Sequence, residues 1–235
     1  SYKFFPIKEK SYNRDFKPYR FENVEEFQDE IGWYTMVNMK DVWNIDMVGR
    51  TSAERTGYAT QKPEKLMERI ITACSGEGDL CADFFAGSGS FGAVCERMNR
   101  HWIMCDKGDV ASASQIMRLA GQGAQFSVEK PAGYTSSTGL RCILTGSGVG
   151  LDGYDADEES ICCSDKEEVV KYMHDDPMSL IRFWSVDFDN GGGIHRAETV
   201  HPGSVREITG DRDVKAGSTS VIAYDVFGKG LKCRL

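Results

Sequence analysis

The sequence predicts an α/β fold: a parallel strand–helix–strand unit followed by a smaller β-rich domain. Three observations carry that expectation. Residues 80–85 are a brief apolar run with glycines on both sides, the pattern of a buried strand. The turn that follows, AGSGSFG, leads into apolar residues at helical spacing, and a second apolar run at 101–105 ends on Asp106. Beyond about Pro131, glycine, serine and threonine become frequent and only short β-like runs remain.

Each element has its own signal. Residues 1–21 interleave Lys3, Lys8, Lys10, Arg14, Lys17 and Arg20 with Tyr2, Phe4, Phe5, Tyr12, Phe16, Tyr19 and Phe21. Cations that neutralise phosphates and aromatics that stack suit a nucleic-acid surface; aromatics of a linker packed on a neighbouring domain are the alternative. Residues 22–31 are acidic and predict a short helix, 33–48 alternate loosely, and 50–55 form a polar loop. Thr60, Gln61 and Lys62 make a polar turn. Pro63 then suits the first position of a helix whose Leu66, Met67, Ile70, Ile71 and Cys74 share one face.

Gly76 and Gly78 end that helix. After the glycine turn, Phe91, Val94, Cys95 and Met98 predict a second helix, and 110–119 predicts a third, with Ile116, Met117 and Leu119 apolar. In the β-rich part the runs fall at 141–145, 161–163, 180–188 and 221–226. Within the third, Trp184, Val186 and Phe188 alternate with Ser185 and Asp187, which predicts one buried face. Residues 190–193 and the sequence Asp225-Val226-Phe227-Gly228 read as turns.

The order strand, glycine turn, helix, strand, acid has a chemical meaning. Parallel strands with a helical crossover leave a crevice at their carboxyl ends, where glycines let a ligand approach the backbone. An acid closing the second strand can accept hydrogen bonds from both hydroxyls of a ribose, so the unit suits an adenosine-type cofactor. Gly87, Gly89 and Gly92 also spell G-x-G-x-x-G, which keeps a nicotinamide-dependent oxidoreductase as an alternative. The residues alone leave other roles open: Asp83 satisfying backbone donors, Lys62 as a solvated surface lysine, Asp106 as a turn former.

Composition sets bounds. The chain has 235 residues, 40% of them hydrophobic, and a net charge of −8. That charge opposes a grip on phosphates, yet most of the excess acid lies late: residues 131–235 hold 17 acidic against 11 basic side chains. There is no apolar run of about 18 residues, so no membrane span is expected, and the charged, aromatic start does not read as a signal peptide. A first residue Ser1 in place of methionine suggests a start inside a longer gene product. The eight cysteines form no C-x-x-C pair, which points to reduced thiols, four of them (74, 81, 95 and 105) in elements expected to be buried, rather than to disulfides or zinc. Cys162 and Cys163 are adjacent and ill-suited to one metal, and the histidines read as structural or surface residues. No metal is expected.

The segment DFFAGSGS at 83–90 resembles the cofactor-binding motif of the S-adenosylmethionine-dependent DNA amino-methyltransferases, usually close to DPFxGSGT. GYATQKP at 57–63 resembles the GYPTQKP or HPTQKP element that precedes it. The intervening EKLMERII, the following strand with its acid, and the upstream DVWNID match the same pattern in order. Phe84 and Ala59 stand where prolines are usual, and Ser90 where threonine is. The resemblance implies a partial Rossmann-like S-adenosylmethionine-dependent methyltransferase fold. It implies Asp83, Phe85, Ala86, Gly87, Ser88 and Gly89 around the methionine part of the cofactor, Asp106 at the ribose, and Thr60, Gln61 and Lys62 at the amino-acid end, where a lysine at a helix start suits a carboxylate.

It further implies site-specific methylation of the exocyclic amine of adenine or cytosine in double-stranded DNA, within a cytoplasmic bacterial restriction-modification system, with a homodimer as one expected assembly. The family's acceptor motif, Asp, Asn or Ser followed by Pro-Pro and an aromatic, does not occur here, and Asp176-Pro177-Met178 is its nearest echo. In the beta class that motif and the target-recognition region precede the TQKP element. The chain is therefore similar to the carboxy-terminal portion of such an enzyme: 1–55 as the end of the target-recognition region or a linker, 56–130 as the cofactor-binding part, 131–235 as the β-rich extension. Within the last, FWSVDFDNGGG and YDVFG are loosely similar to extensions of bacterial DNA methyltransferases. No catalytic residue is assigned, and the chain alone is expected to be inactive. A non-catalytic domain for binding or assembly is the alternative.

Overall fold

The computed structural model describes residues 4–130, 139–146, 148–156, 158, 166–190, 194–209 and 214–235. Tyr2 and Lys3, the run at 161–163 with Cys162 and Cys163, and the end of the turn at 190–193 lie outside the described residues.

The chain opens with a small antiparallel sheet. Strands β1 (Lys8–Tyr12), β2 (Glu26–Gln28) and β3 (Trp33–Asn38) pair in the order β1-β3-β2. The expected helix over 22–31 is thus a turn and the strand β2. Its acidic residues carry weak helical preference, and pairing of Phe27 with Tyr34 of β3, whose rings stack at 5.7 Å, outweighs it. Lys10 is consumed inside this sheet: its ammonium meets Asp29 at 2.7 Å and lies 4.5 Å from the Tyr34 ring centroid. The Lys10 hydrogen bond in turn holds the Asp29 carboxyl well below the usual range. Phe4, Phe16 and Phe21 stay exposed.

The parallel unit follows. Helix α1 (Glu64–Cys74), strand β4 (Leu80–Asp83), helix α2 (Ser90–Arg97), strand β5 (His101–Met104) and helix α3 (Asp109–Gly121) succeed one another, and β4 pairs parallel with β5. Ile71, Val94 and Cys95 form the buried core, with Met67, Cys81, Phe91, Met98 and Trp102 packed on it. Arg97 spans the outside, donating to Glu64 at 2.6 Å and Glu68 at 3.0 Å.

One face of the strand pair departs from expectation. Cys81, Asp83, Trp102 and Met104 face the helices, but Leu80, Ala82, His101 and Ile103 are exposed, as are Cys74, Phe84, Phe85 and Cys105. The run 80–85 reads as buried because apolar strands of parallel sheets are ordinarily covered on both faces. Here α1, α2 and α3 supply no cover for the second face. Nor, among the described residues, does any strand pair with the outer edge of β4.

The remainder is two antiparallel sheets. Strands β6 (Leu140–Thr145), β7 (Gly148–Tyr154) and β10 (Glu207–Thr209) form one, in the order β10-β7-β6. Strands β8 (Ile181–Asp187), β9 (Thr199–Pro202), β11 (Ser220–Asp225) and β12 (Gly230–Arg234) form the other, in the order β12-β11-β8-β9. Helix α4 (Lys166–Asp175) and a 3-10 turn at Pro177–Leu180 connect β7 to β8. Leu140, Val149, Leu151, Trp184, Val186, Val221 and Leu231 are among the residues of the shared core. β8 lies between β11 and β9, and side chains on both its faces are buried: Phe183, Ser185 and Asp187 as well as Trp184 and Val186. The single buried face read from the sequence is corrected accordingly.

The second face of β8 is covered by a polar bridge. His195 Nε2 meets Ser185 Oγ at 2.9 Å and Nδ1 meets Ser220 Oγ at 2.8 Å. Ser185 donates onward to the Ile222 carbonyl, and Ser220 accepts from Asn190 Nδ2. These directions assign the proton to Nε2, with the Ser220 hydroxyl donating to Nδ1. A proton on Nδ1 would oppose that hydroxyl. Burial, against the pull of Asp187, pushes the ring's pKa down to about 4. The unfolded chain protonates this histidine near pH 6.5, so below that value it takes up a proton that the folded chain refuses until about pH 4. Stability should therefore fall as pH drops through this window, by about 2 kcal/mol after allowance for partial solvent access. Urea unfolding of the β-rich part at pH 7 and pH 4.5 measures this, and His195→Gln should remove most of the difference. Equal pH dependence in that variant would refute the assignment.

Candidate cofactor site

Three backbone segments meet at the carboxyl ends of β4 and β5. The glycine turn begins where Asp83 ends its strand: Asp83 Oδ1 accepts from the Phe85 amide at 3.0 Å, and its carbonyl accepts from the Cys105 amide at 2.9 Å. The Ala86 amide donates back to the Cys105 carbonyl at 3.1 Å. One oxygen of the Asp83 carboxylate thus serves a backbone donor, a structural role that the residue type allows.

Gly87 and Gly89 adopt φ of +50° and +79°, a region unfavourable to other residues. A Cβ on Gly87 would lie 3.2 Å from the Tyr58 ring, and one on Gly89 3.1 Å from the Gln115 α-carbon. Gly92 has a different reason. A Cβ there would fall on the Met104 thioether, so this glycine lets α2 approach β5. Ser88 and Ser90 are buried, their hydroxyls 3.2 Å apart.

Asp106 lies on the turn. Oδ2 accepts from the Gly87 amide and Oδ1 from the Gly108 amide, both at 2.9 Å. Each oxygen keeps a lone pair, so the carboxylate is oriented without being saturated. The TQK segment is the third wall: the Ser90 hydroxyl donates to the Lys62 carbonyl at 2.8 Å. Thr60 and Lys62 carry exposed side chains here, and Phe85 is 91% exposed at the lip. Gln61 is committed elsewhere. Its side-chain oxygen accepts from the Thr56 amide at 2.8 Å and hydroxyl at 3.0 Å, while Nε2 donates to the Glu54 carbonyl at 2.7 Å. It shapes the loop rather than presenting its amide to a ligand.

Two residues that spacing did not single out hold the site together. Arg118, buried on α3, donates to Glu64 Oε1 at 2.5 Å, to the Ser88 carbonyl at 3.1 Å and to the Glu54 carbonyl at 3.1 Å. Burial lowers its pKa, against the attraction of Glu64 and Glu54. Glu54 Oε2 also accepts from the Glu64 amide at 2.9 Å, which caps α1 from outside the helix, where Pro63 offers no side-chain acceptor. A groove of about 450 Å³ lies apart from this site, between α1 and the open edge of β4, lined by Ile70, Ile71, Cys74, Leu80, Cys81 and Phe91 among others. Among the described residues no cluster of His, Cys, Asp and Glu could hold a metal ion, and no helix is long and apolar enough to cross a membrane.

A glycine turn, a crossover helix and an oriented strand-end carboxylate are shared by many nucleotide-cofactor proteins; the sequence likeness is to methyltransferases. Residues 3–115 match the family model described as DNA methylase. The type II methyltransferase M.HpaI of Haemophilus parainfluenzae is 44% identical over 69 residues, 29% of this chain and 22% of that protein. The type II methyltransferase M2.DpnII of Streptococcus pneumoniae is 44% identical over 68 residues, 29% of this chain and 25% of that protein. Among solved structures, the M1.HpyAVI–SAM complex is 25% identical and covers 37% of this chain and 48% of that one, with a TM-score of 0.29. Over residues 3–115 the chain is thus similar to DNA methylases, and over its matched stretches to type II methyltransferases. The matched part spans about a quarter of the length of these two relatives.

Proposed function

We propose that this chain is the donor-binding part of a DNA amino-methyltransferase that carries a methyl group from S-adenosylmethionine to the exocyclic amine of adenine or cytosine. One observation carries the reading: the Gly87 amide donates to Asp106, which places a strand-end carboxylate on the glycine turn. The parallel unit is the Rossmann-like portion, with 1–55 as the end of a target-recognition region or linker, 56–130 as the donor-binding part and 131–235 as a β-rich extension. Asp106 accepts the ribose hydroxyls. The backbone from Phe85 to Gly89 lines the methionine part, held by Asp83 and Ser88 behind it, and Lys62 with Thr60 faces the carboxylate, their turn set by Gln61.

S-adenosylmethionine, when bound, supplies an activated methyl group. The target base leaves the duplex to reach it, and its amine needs acceptors that orient the nitrogen. No Pro-Pro acceptor motif occurs in the 235 residues, which fits a beta-class order in which that motif lies upstream of the TQKP element. The DNA substrate is double-stranded, the setting a cytoplasmic bacterial restriction-modification system, and the assembly a homodimer.

Calorimetry with S-adenosylhomocysteine tests the donor site. The chain should bind it, and Asp106→Ala should bind at least about tenfold more weakly, since a carboxylate–hydroxyl bond contributes about 1.5–3 kcal/mol. The same chain should transfer no methyl group to duplex DNA without a further chain bearing the acceptor motif. Absence of heat would favour a diverged binding or assembly domain, and clear turnover would show that the acceptors lie within residues 1–235.

A further inference from the structure

We propose that the β-rich part positions the donor cleft, through Arg182 and the turn at Gly228. The inference rests on the cleft being a donor site, and both contacts fall on the backbone that frames it. Arg182 is the second residue of β8, and its Nη2 donates to the Thr56 carbonyl. The guanidinium is half-buried, and burial lowers its pKa, so it gives up part of its hydration where it meets that carbonyl. Such a cost fixes the geometry of what it holds. Thr56 opens the loop that Gln61 closes, and two residues later Tyr58 lies against Gly87. Arg182 therefore acts on the segment that carries Thr60 to Lys62 and covers the glycine turn.

The second contact lies on the other side of the cleft. Gly228 adopts φ of +83°, and a Cβ there would overlap the Asp109 carbonyl and the Val110 amide, where α3 begins. Its turn is stiff: Asp225 Oδ1 accepts from the Phe227 amide at 2.9 Å and the Lys229 amide at 2.8 Å, and Oδ2 from the buried Tyr154 hydroxyl at 2.7 Å. Asp109 stands three residues beyond Asp106. Neither Arg182 nor Gly228 touches the donor in this scheme. They are positioning residues, which hold the TQK loop and the strand-end acid at a fixed separation.

Calorimetry with S-adenosylhomocysteine on the 235-residue chain tests this, comparing wild type with Arg182→Met, Arg182→Lys and Gly228→Ala, each alongside a thermal melt. The Met variant should bind about five- to tenfold more weakly, the low end of the usual coupling between sites, with an unchanged melt of the donor-binding part. The Lys variant keeps a charged donor for the Thr56 carbonyl and should recover most of the loss. Gly228→Ala should weaken binding to a similar degree. Wild-type affinity in both the Met and the Gly228 variants overturns the proposal, and so does equal weakening by Met and Lys. If the Met variant melts early, Gly228→Ala decides: wild-type affinity there overturns the proposal and weaker binding supports it. A wild-type chain that binds no donor analogue overturns the donor-site reading instead, and this inference with it.

Discussion

Arg118→Met is expected to destabilise the donor-binding part by about 3 kcal/mol, near the lower limit for breaking a buried ion pair from one side. The arginine side chain is only 5% exposed, and it joins Glu64 on α1, the Ser88 carbonyl of the glycine turn and the Glu54 carbonyl of the preceding loop. Methionine fills the space of the stem and leaves the buried Ser88 carbonyl, the part-buried Glu54 carbonyl and a carboxylate oxygen short of a donor. Glu64 keeps Arg97 at 2.6 Å, so its charge is not left bare, which sets the value at the lower rather than the upper limit. Urea unfolding followed by far-ultraviolet circular dichroism measures the change. A loss under about 1 kcal/mol would mean that the arginine is ordinary surface charge.

Trp184→Ala should cost about 3–5 kcal/mol, the range for emptying a large buried aromatic site. Trp184 is wholly buried, its indole N–H donates to the Val205 carbonyl at 2.8 Å, and it packs in a core that shares no residue with the Ile71–Val94–Cys95 cluster. The loss should accordingly stay in the β-rich part. A thermal melt of the variant should show an early transition for that part and a later one for the donor-binding part. Donor-analogue binding should weaken no further than removal of the Arg182 and Gly228 contacts accounts for. A single early transition, with all binding gone, would show that the chain unfolds as one cooperative body.

Much of the parallel unit was legible because backbone conformation dictated its residues. Only glycine sits comfortably at the φ of 87 and 89, and the helical faces announce themselves through Met67, Ile71 and Val94. What the local sequence does not carry depends on contacts distant in sequence. Arg118 stands 54 residues from Glu64 and 64 from Glu54, and on its own helix it reads as one more solvated cation. Glu54 caps a helix that begins ten residues later. Arg182 meets Thr56 across 126 residues. Local spacing has no register for such pairs. Strand β2 failed for a related reason: three residues with a mixed propensity became a strand because β3 lay beside them.

The bare side of the β4–β5 pair bears on how the protein behaves in a test tube. Leu80, Phe84, Phe85 and Ile103 put aliphatic and aromatic carbon into water side by side, and every such surface is more comfortable against another than against solvent. Sulfate, which strengthens apolar association, should then bring the purified chain out of solution earlier than its net charge of −8 would suggest.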